Sequence, residues 1–462
     1  MNLLAMTSYS LPALMLAPMA ITFYVFLPKL YSDLGTVSVQ AIGIAILITR
    51  IFDAITDPLI GQLSDSTKSR WGRRKPWMVY SLLPLCVCFI LLLSVRSVPA
   101  AGHLPWFLFL SLGFFLFWTM FSVPYEAWGQ ELIQDYDRRT TLFAVRDGAV
   151  VLGTLLAAAA PIIGEFLLPS WELWTRWFTI ALVYSGLLVL FTLICVRRTS
   201  NGIAVSDATI SSSNVLGLSS WRTTLANVYF RRLIIAYTVG AFGAALPATL
   251  FLLYVERLLK SDQGPFFLAL YFLIGMVTLP AWTKLSLRWG KKKAWIAAMM
   301  VNSGGFLGVF FLSAGDELAY GILIAISALG YGASLALPSA MQADVIDAEE
   351  VRVGTRKEGE FLGIWAVARK LSAAVGAGLG LWLLGAVGFD PSLTEQEPQV
   401  LTSLKTLYCV VPCLCNCASI WTLRNYSLNR EEHAAIVAQL EQSRSLSSRG
   451  AESEHGRWRE DG

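Results

Sequence analysis

The sequence predicts an all-α integral membrane protein of twelve transmembrane helices arranged as two six-helix halves. Three observations predict it. The 462-residue chain is 55% apolar and 15% charged, with a mean hydropathy of +0.57, where soluble domains carry about a quarter charged residues. It contains about twelve apolar runs, each long enough at roughly 20 residues to cross about 30 Å of hydrocarbon. The cluster Arg70-Trp71-Gly72-Arg73-Arg74-Lys75-Pro76-Trp77 returns as Arg288-Trp289-Gly290-Lys291-Lys292-Lys293-Ala294-Trp295 about half a chain later, a sign of internal duplication. The runs do not alternate in polarity as the strands of a β-barrel would.

Taken in order, the first run, 10–31, carries Ala17-Pro18-Met19-Ala20, which imitates a cleavage site. It has no basic region ahead of it and stays apolar to Leu30, so it reads as a retained helix. The second, 41–63, holds Arg50, Asp53 and Asp57, and the third, 77–96, starts behind the first basic cluster. The fourth, 105–127, passes through Pro124; the fifth, 145–167, opens on Arg146 and Asp147; the sixth, 173–195, stops at Arg197 and Arg198. A polar stretch containing Ser211-Ser212-Ser213 then separates the halves. The runs 232–256, 266–288, 293–313, 318–341, 361–388 and 402–424 follow, and the second of these again precedes a Trp-Gly-basic cluster. The expected organisation is a six-helix bundle over 1–198, a cytoplasmic linker over 199–230, a second bundle over 231–426 and a cytoplasmic tail over 427–462. The tail reads as a short amphipathic helix followed by disorder.

Placement of Lys and Arg sets the orientation. They crowd alternate loops at Lys68 to Lys75, Arg138 and Arg139, Arg197 to Arg232, Lys284 to Lys293 and Arg352 to Lys357, while the opposite loops hold mainly Arg96, Arg176, Arg257, Lys260 and Lys405. The positive-inside rule puts the first set and both termini in the cytoplasm. Both basic clusters follow the second helix of their half on one membrane face, so the repeats are parallel, the relation found between the halves of the major facilitator fold. The expectation is a multi-pass plasma-membrane protein, in the inner membrane if the source is bacterial, acting as a monomer with no nucleic-acid partner.

The chemistry concentrates on the second run. Asp53 and Asp57 are four apart and share one helix face about 6 Å apart. An ionised carboxylate at the bilayer centre costs at least roughly 2.5–3.5 kcal/mol, so the pair requires a cation, a proton or basic partners. Pro58 lacks an N–H and frees the carbonyl of Ala54, adding one oxygen. Such hard oxygens suit Na⁺, Li⁺ or H⁺. Arg50 answers Asp53 at i,i+3, and on the plainest reading it does only that, leaving Asp57 as a helix-end residue. Arg369 and Lys370 lie in the eleventh run and supply a cation from the other half. Trp118, Thr119, Ser122, Tyr125, Glu126 and Trp128, with Arg146 and Asp147, put aromatic and polar groups where a sugar or another amphipathic solute would bind. Asp65 with Arg73 or a nearby cationic group such as Arg74, and Asp344 with Asp347, read as cytoplasmic charge networks that latch helices in one access state.

Other chemistries find no support. Seven cysteines lie in or beside apolar runs; Cys409, Cys413, Cys415 and Cys417 scatter over helix faces as packing residues rather than a metal site. His103, His433 and His455 all fall outside the runs. No nucleophile–base pair or cofactor motif lies in the helices, so an enzyme is excluded on these grounds.

Several blocks resemble the glycoside–pentoside–hexuronide:cation symporter family: Arg50-Ile-Phe-Asp53-Ala-Ile-Thr-Asp57-Pro58 through Trp77, Val123-Pro124-Tyr125, Asp135 to Arg146, Ala343 to Asp347, and Trp365 to Lys370. The resemblance implies that Asp53 and Asp57 bind the coupling cation, that Thr119 assists and that Lys370 stands nearby. It also implies two losses, because acids that hold galactosyl hydroxyls in galactoside-carrying members fall on Ala17 and Ser122. The expected function is symport of a small organic solute, a sugar or glycoside, with Na⁺ or H⁺ by alternating access. The alternatives are a cation-coupled carrier of an amphiphile such as a lysolipid and, least favoured, a non-transporting sensor, which would be expected to lose the acids or gain an output domain.

Overall fold

The computed structural model describes residues 3–133, 136–199, 218–353, 358–391, 393, 395–428 and five positions between 431 and 439. Asp135, Lys357, most of the predicted linker and most of the predicted tail helix lie outside these residues. Twelve long helices account for nearly all of the chain described: α1 (Leu4–Ser32), α2 (Val39–Ser66), α3 (Lys75–Leu92), α4 (His103–Leu132), α5 (Tyr136–Leu167), α6 (Leu173–Arg198), α7 (Val228–Arg257), α8 (Gly264–Trp289), α9 (Lys291–Val309), α10 (Glu317–Val353), α11 (Glu358–Ala386) and α12 (Pro398–Arg424). A short helix, Leu218–Ala226, leads into α7. No strand occurs among the described residues. In lipid this is forced, since every backbone polar group must be satisfied within its own segment.

Eleven of the twelve are apolar enough along their length to cross a membrane. The exception, α9, begins with Lys291, Lys292 and Lys293 and carries Asn302 in its interior. Local chemistry marks the helix starts: the Ser38 hydroxyl accepts the Ala41 N–H at 3.2 Å ahead of α2, and Asn227 accepts the Phe230 N–H at 3.0 Å ahead of α7.

The duplication read from the basic clusters reappears in packing. In the first half α1 lies on α5 and α6, α2 on α4, and α3 on α4 and α6; in the second, α7 lies on α11 and α12, α8 on α10, and α9 on α10 and α12. The halves meet through α2 with α11 and through α5 with α8, two contacts that a two-fold axis would exchange. Gly72 and Gly290 take matching left-handed conformations, φ 87° and 84°, which explains glycine after Trp in both clusters.

At one end of the molecule the backbones of the two halves come close together. A Cβ on Gly43 of α2 would stand 2.7 Å from the Gly378 carbonyl oxygen of α11, and one on Gly378 would stand 2.9 Å from the Gly43 carbonyl oxygen. At the same end Lys29 of α1 forms an ion pair with Glu256 of α7. A cavity of about 200 Å³ there is lined from both halves and includes Lys29, Asp33, Glu165, Arg176, Glu256 and Asp262. Burial raises the Asp33 carboxyl above its ordinary range, with the Lys29 ammonium pulling in the opposite direction.

Candidate cation and solute site

The acids of α2 sit where three helices converge. Asp53 is 1% exposed, and its carboxylate accepts from Arg50 Nη1 at 3.0 Å and from the Thr119 hydroxyl at 2.8 Å. Thr119 comes from α4, is fully buried, and also stands 3.0 Å from Asp57. A single hydroxyl proton serves one carboxylate at a time, so Thr119 holds Asp53 Oδ1, Asp57 Oδ1 and its own oxygen close together. Lys370 arrives from α11 in the other half: its ammonium is ion-paired with Asp57 and lies 3.5 Å from Asp53. Two carboxylates therefore face two fixed cations, which is the compensation that burial in lipid demands.

These contacts settle alternatives left open by the spacing. Asp57 is a member of the same cluster as Asp53 and not a separate helix-end residue. Thr56 turns its hydroxyl back to the Asp53 carbonyl at 3.1 Å and away from the carboxylates. Ala54 lies on the same helix, half-buried, one turn before Pro58.

The predicted solute residues separate into two groups. Tyr125 and Trp128 are 2% and 1% exposed and belong to the packing between α1 and α4. The Tyr125 ring stacks on Tyr9 at 4.7 Å, the two tyrosines exchange hydroxyl-to-carbonyl bonds of 2.6 and 3.0 Å, and Trp128 lies edge-on to Tyr9. A ring so enclosed offers no face to a solute. Trp118 and Ser122 remain half-buried and Glu126 exposed on α4. Arg146 is half-buried on α5, bonded to Asp147 at 2.7 Å and lying over the Phe143 ring. Ala17 is half-buried where α1 crosses α5, within van der Waals reach of Gly153.

In the charge network of the first half, Asp65 pairs with Arg74, one of the two arginines read with it, while Arg73 and Arg74 converge on Glu131 at the end of α4, each at 2.9 Å. Glu131 was legible only as one acid among several near a helix end. In the second half Lys291 forms the equivalent pair with Asp344 at 2.6 Å, and Asp347 lies one turn further along α10. These pairs tie the chain around the start of the third helix to the fourth helix within each half.

Comparison with known proteins agrees with this architecture. The family model for MFS/sugar transport proteins matches residues 8–430. The chain is 23% identical over 432 residues to the glucuronide carrier protein homolog of Escherichia coli strain K12, covering 90% of each. It is also 23% identical over 428 residues to the inner membrane symporter YicJ of the same strain, covering 90% of this chain and 89% of that one. Among solved structures, the nucleoside transporter NupG superposes with a TM-score of 0.62 at 13% identity, covering 92% of this chain and all of that one. A bacterial homologue of the iron transporter ferroportin in an inward-facing state reaches 0.63 at 15% identity, covering 93% and 100%. At such identities the structural likeness concerns the fold alone. With the family model spanning both halves and the site between them, the chain belongs to the MFS/sugar transport family and is a membrane transporter, not an enzyme.

Proposed function

We propose that the protein is a symporter that moves a sugar, and by preference an anionic one, together with Na⁺ or H⁺ by rocking its two halves about the site between them. The observation that carries this reading is Lys370 of one half meeting Asp53 and Asp57 of the other. The coupling cation takes the oxygens of Asp53, Asp57 and Thr119, with the Ala54 carbonyl freed by Pro58 as a further ligand on the same helix. Taking those oxygens displaces Lys370, and because Lys370 rides on the opposite half, occupancy alters the tie across which the halves move.

Charge counting favours an anion. Asp53 and Asp57 against Arg50 and Lys370 sum to zero, so a bound monovalent cation leaves one excess positive charge, and an anionic solute restores neutrality in a low-dielectric passage. Arg146 offers that solute a fork, Trp118 a ring, and Ser122 and Glu126 hydrogen-bonding groups. Ala17 and Ser122 in place of two carboxylates remove repulsion toward an acidic sugar. A relative named as a glucuronide carrier protein homolog is consistent with this. With both termini and the basic clusters in the cytoplasm, the Lys29–Glu256 end faces outward, and the arrangement seen is closed on that side. The Arg73–Glu131 and Lys291–Asp344 pairs keep each half rigid at its cytoplasmic end.

Direct binding to purified protein with and without Na⁺ tests the reading. A glucuronide is expected to bind with cation dependence and melibiose weakly or not at all, since sites built around particular hydrogen bonds discriminate by up to roughly 10⁴. Cation-dependent binding of a lysolipid instead would transfer the assignment to amphiphiles, and tight melibiose binding would overturn it. Lys370→Ala is expected to change cation affinity or selectivity by about tenfold, the effect of roughly 1.4 kcal/mol, with insertion unaffected; an unchanged cation dependence would remove Lys370 from the site.

A further inference from the structure

Arg50 is unusual in how its charge is held. The residue is 6% exposed, and of its donors only Nη1 reaches a carboxylate, Asp53 at 3.0 Å. Its Nε and Nη2 are buried without a hydrogen-bond partner among the described residues. In place of acceptors, two aromatic faces close on the guanidinium: the Tyr24 ring from α1 with its centroid 4.2 Å from Cζ, and the Phe115 ring from α4 with its centroid 3.9 Å away. Phe115 is itself 2% exposed and packed edge-on against Phe23 and Phe114, so its position is set by the core rather than by Arg50. Ring quadrupoles attract a cation and supply no acceptor that would draw it elsewhere.

We infer that Tyr24 and Phe115 form an aromatic cage that keeps Arg50 as a tethered competitor of the coupling cation at Asp53, making them positioning residues that set cation affinity. The inference rests on Asp53 and Asp57 being the cation site. A guanidinium free to swing leaves the carboxylate when a cation arrives. One clamped between two rings stays, and its charge opposes the incoming ion across a few ångströms of low-dielectric interior. The cage thus weakens binding and favours release of the cation once the site opens, a property a carrier needs as much as capture. Three helices contribute, α1, α2 and α4, so the strength of competition depends on how closely the first half is packed around Arg50.

The test measures Na⁺ binding to the purified full-length protein by calorimetry in the parent, Tyr24→Leu, Phe115→Leu, the ring-conserving Tyr24→Phe and Phe115→Tyr, and Asp53→Asn. Both Leu variants are expected to bind Na⁺ more tightly by roughly two- to thirtyfold, the range that a cation–π contact spans from exposed to desolvated sites. Both ring-conserving variants are expected to match the parent. A purely structural role would lower thermal stability in the Leu variants and leave Na⁺ affinity where it was. Unchanged or weaker binding in both Leu variants, with binding lost in Asp53→Asn, overturns the cage while leaving the cation site intact. Parent-like binding in Asp53→Asn overturns the cation site and the cage together.

Discussion

Asp57→Asn and Asp53→Asn are each expected to abolish gradient-driven accumulation of solute, by on the order of 100-fold or more, while the protein still inserts. Truncating one partner of a buried, hydrogen-bonded charge pair costs about 2–5 kcal/mol, and 1.4 kcal/mol is already a factor of ten. The two variants differ in their effect on stability. Asp53 is almost fully buried beside Arg50, so its loss leaves a guanidinium uncompensated at a cost of about 3–5 kcal/mol. The Asp57 side chain is 21% exposed, so its variant separates coupling from folding more cleanly. Solute uptake against an imposed Na⁺ or pH gradient, read beside thermal unfolding of the purified variants, checks both statements. Parent-like accumulation in both would show that these acids do not couple.

The second large effect is expected at the contact between α2 and α11. Gly378→Val places branched carbon where the backbone of Gly43 and the side chain of Leu47 already stand within 3 Å, and Gly43→Val meets Gly378 and Trp382 backbone at 2.7 Å. Overpacking of this kind costs about 1–3 kcal/mol. Because the clash lies between the halves, opening that end relieves it, so the population moves away from the closed arrangement by roughly five- to 150-fold. A cysteine at Gln40, in a background carrying Cys417→Ser, is expected to react faster with an impermeant maleimide added outside intact cells when either glycine is replaced, with solute turnover falling. Unaltered labelling and turnover would mean that this contact is no gate, and reaction only in inverted vesicles would reverse the assigned orientation.

The fold was legible in the sequence because lipid leaves a chain few options. Runs of about 20 apolar residues must be helices when nothing around them can satisfy backbone polar groups, and the repeated Trp-Gly-basic cluster displays the duplication without any contact being known. The carboxylate pair was legible for a related reason: a spacing of four has one geometric meaning on a helix, and the cost of charge in hydrocarbon obliges it to have partners.

Which partners it has was decided by tertiary structure. Lys370 stands 313 residues from Asp57, and spacing alone does not choose it over its neighbour Arg369, which is equally basic and lies exposed. The same limit applies to Tyr125 and Trp128. Their spacing on α4 suits a solute platform and a helix interface equally, and only the position of Tyr9 on α1 consigned them to packing. Glu131 as the partner of Arg73 and Arg74, and the rings of Tyr24 and Phe115 around Arg50, had no signature in one dimension. Periodicity reports which face of a helix a residue occupies; it carries no information about which helix lies opposite, and in a bundle of twelve that choice determines whether a buried charge is answered, caged or exposed.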